Sequence, residues 1–170
     1  MIKILLIEDE PFWAKEISDS FEKEKFIVTH SDSIQKAVNY IEQQNEFDIV
    51  LLDLCLPDSP EPFKTMDTIV PLIPYTPVII ITSMGNNEKI CEKAYSLDVE
   101  EFLSKSEIQQ NSLISLVNSA IKRHKVKIDL EMKKSMHGII SSLEALQGKL
   151  LNTERMLIDL SLDMAKNSKE

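Results

Sequence analysis

The chain has 170 residues, 43% of them hydrophobic, with 28 acidic against 19 basic side chains and a net charge of −9. That length suits one α/β domain with an appendage, and the apolar share is enough to bury a core, which excludes a wholly disordered chain. So acidic a balance argues against a nucleic-acid coat, whose phosphate contacts need clustered Lys and Arg. The two cysteines, Cys55 and Cys91, exclude a disulfide scaffold. No apolar run approaches the roughly 20 residues of a membrane span. The first such run, residues 4–7, meets Glu8, Asp9 and Glu10, which a secretory signal would not tolerate. A cytoplasmic protein without membrane insertion is expected.

Charge divides the chain. Residues 126–170 hold seven bases and seven acids, so the whole −9 lies in residues 1–125, as do all seven prolines. This predicts a domain over 1–125 and a helical extension over 126–170.

In chain order, residues 2–7 read as a strand buried on both faces, broken only by Lys3. Pro11 suits the first turn of a helix, with Phe12, Ile17 and Phe21 on its inner face. Residues 26–30 form a second, shorter strand. Asp32 followed by Gln35 resembles a capping box, opening a helix with Ala37, Val38 and Ile41 inward. The continuous apolar runs at 49–52 and 78–81 supply the third and fourth strands. A helix over 87–97 and a weaker strand over 101–104 follow. Asn111 or Ser112 then caps a helix carrying Leu113, Val117 and Ile121. Five strands separated by helices predict a doubly wound parallel sheet covered on both faces.

The extension reads as helix to about residue 166. Its seam is Met136, Ile139, Leu143, Leu146, Leu150, Thr153, Leu157, Leu160 and Met164, in alternating steps of 3 and 4, apolar at every position but Thr153. That is a coiled-coil pattern; the plainer alternative is one amphipathic helix folding back on its own domain. Gly148 offers a point for a helical hairpin, although the heptad phase passes through it unbroken.

Ligands of an open parallel sheet sit beyond the carboxyl ends of its strands. There the sequence places Glu8 and Asp9, then Asp53, then Thr82 and Ser83, then Lys105. Carboxylates packed together repel, so the cluster favours a divalent cation with hard oxygen ligands, and Mg²⁺ is the natural choice. A Lys facing such a site suits pairing with a carboxylate or a phosphoryl group.

These residues carry a resemblance. The segments Ile4-Leu5-Leu6-Ile7-Glu8-Asp9-Glu10, Ile49-Val50-Leu51-Leu52-Asp53-Leu54-Cys55-Leu56-Pro57-Asp58, Val78-Ile79-Ile80-Ile81-Thr82-Ser83 and Phe102-Leu103-Ser104-Lys105 resemble the receiver domain of two-component response regulators. The resemblance covers about residues 1–125. It implies a flavodoxin-like (βα)5 sheet of order 2-1-3-4-5, here followed by a long helix or helical hairpin. It further implies that Asp53 accepts a phosphoryl group from a histidine kinase or phosphotransfer protein. Asp9, Asp53 and the backbone carbonyl of Cys55 would hold Mg²⁺, with Glu8 acting through water. Lys105 would pair with Asp53 and then with the phosphoryl oxygens. Thr82 would hydrogen-bond the phosphoryl group and Phe102 would turn inward behind it, switching the face formed by the fourth helix, fifth strand and last helix. Such a protein is a phosphoacceptor rather than an enzyme.

Departures from the family pattern are visible. Ser106 follows Lys105 where proline is usual, and Ser59-Pro60-Glu61-Pro62 stands where a glycine is expected. Cys55 and Met84 occupy positions that tune dephosphorylation in the family, and Cys55 reads as a small buried hydrophobe. The neutral extension has no second core and no basic recognition face, so DNA binding is not expected. A homodimer or a partner helix gripping residues 126–166 is the leading expectation. Two alternatives remain: a phosphorelay protein with a second acceptor at His137, or a metal-dependent phosphohydrolase with an aspartyl nucleophile.

Overall fold

The computed structural model describes residues 1–21, 25–43, 46–84, 87–108 and 110–167. The elements are β1 (Ile2–Ile7), α1 (Pro11–Phe21), β2 (Phe26–Ser31), α2 (Ile34–Glu42), β3 (Ile49–Leu52), α3 (Pro62–Ile69), β4 (Val78–Thr82), α4 (Glu88–Ser96), β5 (Glu101–Ser104) and α5 (Gln110–Asn167). Short 3₁₀ turns follow α3 at Val70–Leu72 and β5 at Lys105–Glu107. The five strands form one parallel sheet in the order β2-β1-β3-β4-β5. The parallel sheet is what the alternation of strands and helices predicts, and its flavodoxin-like order is the one the family resemblance implies.

Burial explains the continuous apolar runs. Along β1, Leu5 and Ile7 join a core with residues of α2, α3 and α4, while Ile4 and Leu6 join a second core with residues of α1 and α5. Successive side chains of a strand point to opposite faces, so a sheet covered twice needs apolar residues at every position. Leu113, Val117 and Ala120 are the part of α5 that closes the second core.

Three local expectations are corrected. Phe12 is 64% exposed, and α1 buries Ala14, Ile17 and Phe21 instead. Those three follow the i, i+3, i+7 spacing of one helical face, and Phe12, five residues before Ile17, falls off it. The start of α2 is not closed by a box of Asp32 and Gln35. Ser33 is its N-cap and makes no side-chain cap bond. Asp58, beyond β3, instead accepts the backbone N–H groups of Ile34 and Gln35, both at 3.0 Å. Desolvation opposes ionisation of Asp58, but these two amides outweigh it and hold its carboxyl below the usual range. The loop that carries Asp53 is thereby fastened to α2. At α4 the N-cap is Asn87, whose side chain accepts from the backbone N–H groups of Lys89 and Ile90. The helix after β5 begins at Gln110, so Asn111 and Ser112 lie within its first turn.

Met1–Val126 and Lys127–Glu170 are two compact units. Helix α5 continues through Gly138 and Gly148, so no hairpin forms at Gly148. A Cβ at either glycine would meet nothing within 4 Å, and no proline follows to end the helix. In the second unit the seam side chains from Met136 to Leu160 are exposed, Leu143 and Leu150 by 59% and 62%.

Candidate functional site

The carboxyl ends of β1, β3, β4 and β5 carry the site. Parallel pairing sets Ile7 beside Leu52, so the acidic residues after β1 emerge next to Asp53, whose backbone N–H donates to the Ile7 carbonyl at 2.9 Å. Asp53 Oδ1 accepts the backbone N–H of Leu54 at 2.7 Å and of Cys55 at 3.3 Å. Its other oxygen faces Lys105.

Lys105 is 2% exposed, and its ammonium donates to Asp53 Oδ2 at 2.9 Å, Glu8 Oε1 at 2.9 Å and Glu10 Oε1 at 3.2 Å. Three carboxylates on one ammonium account for its burial, since a buried charge must be paired. Desolvation works against the cation, but hydrogen bonds to Asp53 and Glu8 outweigh it and hold its pKa above the ordinary lysine range. The chain's one tryptophan, Trp13, places its ring centroid 5.9 Å from the same ammonium, within cation–π range. On the outer side, His30 of β2 donates from Nε2 to the Glu8 backbone carbonyl at 2.7 Å and anchors the acidic loop.

Glu8 is the strained member. Its burial, with the Asp53 charge adding, outweighs Lys105 and pushes its pKa from 4.5 up to about 7. The unfolded chain then loses this proton near pH 4.5 while the folded protein keeps it to about 7. Folding stability therefore falls as pH rises through that window. In chelator, urea unfolding should show a loss on the order of 2 kcal/mol between pH 5 and pH 8, after discounting for screening. Glu8→Gln should flatten that slope, and an unchanged slope in the variant would exclude Glu8 as its source.

The donor set fits a hard divalent cation. Oxygens of Glu8, Glu10 and Asp53 lie within 4.8 Å of one another. Lys105 is 2.9 Å from Glu8 Oε2 but without hydrogen-bond alignment, so this buried oxygen, like Asp9 Oδ1, lacks a hydrogen-bond donor. Buried oxygens without donors in an acidic cluster are what a cation would satisfy. The grouped oxygens include Glu10, which sequence reasoning did not assign. Asp9 is half-buried, and its charge acts on the Cys55 thiol together with those of Asp53, Lys105 and Glu10.

Thr82 is fully buried at the end of β4, and its Oγ1 accepts the Met84 backbone N–H at 3.4 Å. Phe102 is half-buried in β5 and packs against the core shared with α2–α4. Cys55, expected to be buried, is exposed. Desolvation of its thiol and the Asp53 charge push its pKa up, so it is not an activated thiolate. Its side chain points away from a core already filled by Leu54 and Leu56 on either side. His137 lies in the second unit, exposed, and donates from Nδ1 to the Lys133 carbonyl at 2.9 Å.

A parallel five-stranded sheet of order 2-1-3-4-5 with an acid cluster and a buried lysine at its carboxyl edge defines a receiver-type signalling domain. The family described as response regulator receiver domain matches residues 4–118, and the chain belongs to that family. Solved structures agree. A CheY-like receiver domain protein from Methanospirillum hungatei JF-1 is 16% identical, covering 75% of this chain and 98% of its own, with a TM-score of 0.67. A response regulator receiver domain protein from Clostridium thermocellum is 26% identical, covering 74% and 98%, with a TM-score of 0.64. A fusion carrying amino acids 181–211 of the yeast Spc42 trimeric coiled coil is 22% identical, covering 88% and 96%, with a TM-score of 0.67. No curated protein sequence matches the chain. Among the described residues, no helix is long and apolar enough to cross a membrane.

Proposed function

We propose that the protein is a response regulator that takes a phosphoryl group on Asp53 from a histidine kinase or phosphotransfer protein, and passes the change to a partner through its long C-terminal helix. The observation that carries this reading is the Asp53–Lys105 contact of 2.9 Å, shared with buried Glu8 and exposed Glu10 in one acid cluster. Asp53 Oδ2 forms the new O–P bond as the N–P bond of the donor breaks and the imidazole leaves with the electron pair. Lys105 then offers its ammonium to the phosphoryl oxygens. Thr82, at the end of the adjacent strand β4, would donate its hydroxyl to the same group, and Phe102, which pairs with Ile80 two residues before Thr82, would be the side chain that repacks. Glu8, Asp9, Glu10 and Asp53 are the residues that would hold Mg²⁺, which supplies positive charge against the transferring phosphoryl group.

A small phosphodonor such as phosphoramidate with Mg²⁺ is expected to add one phosphoryl group, labile in alkali, mapping to the peptide that contains Asp53. No uptake, or uptake elsewhere, would remove the reading. A second acceptor at His137 is favoured by one feature: its Nδ1–H is engaged by Lys133, which leaves the Nε2 lone pair available. A phosphoryl group on Nε2 would resist alkali and be lost in acid, so the same sample separates the two.

A further inference from the structure

We infer that residues 136–164 of α5 pair with the same residues of a second copy of this chain, parallel and in register, in a two-stranded coil. This rests on the partner-helix reading above and adds the partner's identity, direction and alignment.

The apolar stripe is exposed along its whole described length, Ile139, Leu143, Leu146, Leu150 and Leu157 each by more than half. A helix with such a stripe is stabilised by burying it against another element. The polar side chains at and beside the stripe are already prepared for burial. Thr153 donates its hydroxyl to the Lys149 carbonyl at 3.0 Å, Ser142 to Gly138 at 2.9 Å and Ser161 to Ile158 at 2.7 Å. Covering them leaves no hydroxyl donor unsatisfied.

Charge selects direction and register. With Met136, Leu143, Leu150 and Leu157 at a, and Ile139, Leu146, Thr153 and Leu160 at d, Lys149 falls at g and Glu154 at the e position of the next heptad. Neither makes an ion pair within its own chain among the described residues. In a parallel in-register pair the g side chain of one helix meets the following e side chain of the other, so Lys149 meets Glu154 of the second copy, twice. A slip of one heptad sets Lys149 opposite Gln147 or Ser161 and loses both pairs. Two antiparallel alignments keep the stripe covered: Leu150 against Leu146 sets Lys149 against Lys149 and Glu154 against Ile140, and Leu150 against Thr153 sets Lys149 against Met156 and Glu154 against Gln147, so neither makes the ion pair. Two strands also keep Gln147, Lys149 and Glu154 at the wet rim, whereas a larger bundle encloses more of those positions.

The test uses the full chain carrying Cys55→Ser, Cys91→Ser and Thr153→Cys. Light scattering is expected to give the mass of two copies, and mild oxidation to link them through position 153, where parallel in-register helices bring like residues together. As an independent check, Lys149→Glu or Glu154→Lys alone should weaken self-association about tenfold, and mixing the two variants should restore it. A monomer at every concentration overturns both this inference and the partner-helix reading as self-association. A dimer that does not link at position 153 and ignores the charge swaps overturns the parallel alignment alone, and a mass of three or four copies overturns the two-stranded coil.

Discussion

Lys105→Met is expected to lower the unfolding free energy by about 3–5 kcal/mol at pH 7.5 in chelator, the loss typical of leaving a buried ion pair half-made. Lys105 is the shared cation of Glu8, Glu10 and Asp53, and the Glu8 and Asp53 side chains are nearly as buried as its own. Without it two enclosed carboxylates face each other with only backbone amides to compensate. The loss should shrink at pH 5.5, where Glu8 takes up a proton, because burial already holds its pKa at about 7. Adding Glu8→Gln to Lys105→Met should recover part of the stability, and the double-mutant cycle should show coupling well above 0.5 kcal/mol. A variant as stable as the parent at both pH values would mean that the ammonium is not the keystone of the cluster.

Asp53→Asn should abolish phosphoryl uptake from the small donor while leaving the fold intact. The amide keeps an oxygen able to accept the Leu54 and Cys55 backbone N–H groups, which Asp53 Oδ1 accepts now at 2.7 and 3.3 Å. What it lacks is the second anionic oxygen, the nucleophile, and the charge that pairs with Lys105. Intact mass after donor treatment reads the first consequence, and unfolding curves read the second. Residual uptake at the parent rate would place the acceptor at another residue and would return attention to His137.

Much of this architecture was legible from residues alone because both faces of the sheet are buried. Residues 49–52 and 78–81 have no polar member, and an apolar run so short between turn residues has few options other than a central parallel strand. The ends of those runs then announce the site, since whatever follows a strand of an open parallel sheet lies on one edge. What pattern could not reach depends on partners distant in the chain. Asp58 caps α2 from 24 residues away, replacing a local box that the letters Asp32 and Gln35 advertise. Glu10 looks like one more acid at a helix start, and its place beside Lys105 follows from the bend of a loop. Hydrophobicity alone points Phe12 and Cys55 inward, yet the geometry of the helix face and of the strand end turns both outward.

The contact between Trp13 and Lys105 has a practical corollary. Because the chain holds one indole and its ring lies 5.9 Å from the buried ammonium, its ultraviolet emission reports on the whereabouts of a single charge. Anything that draws that lysine toward a new anion changes the electric field on the chromophore, so the unlabelled protein carries its own optical gauge of occupancy at the carboxyl edge of the sheet.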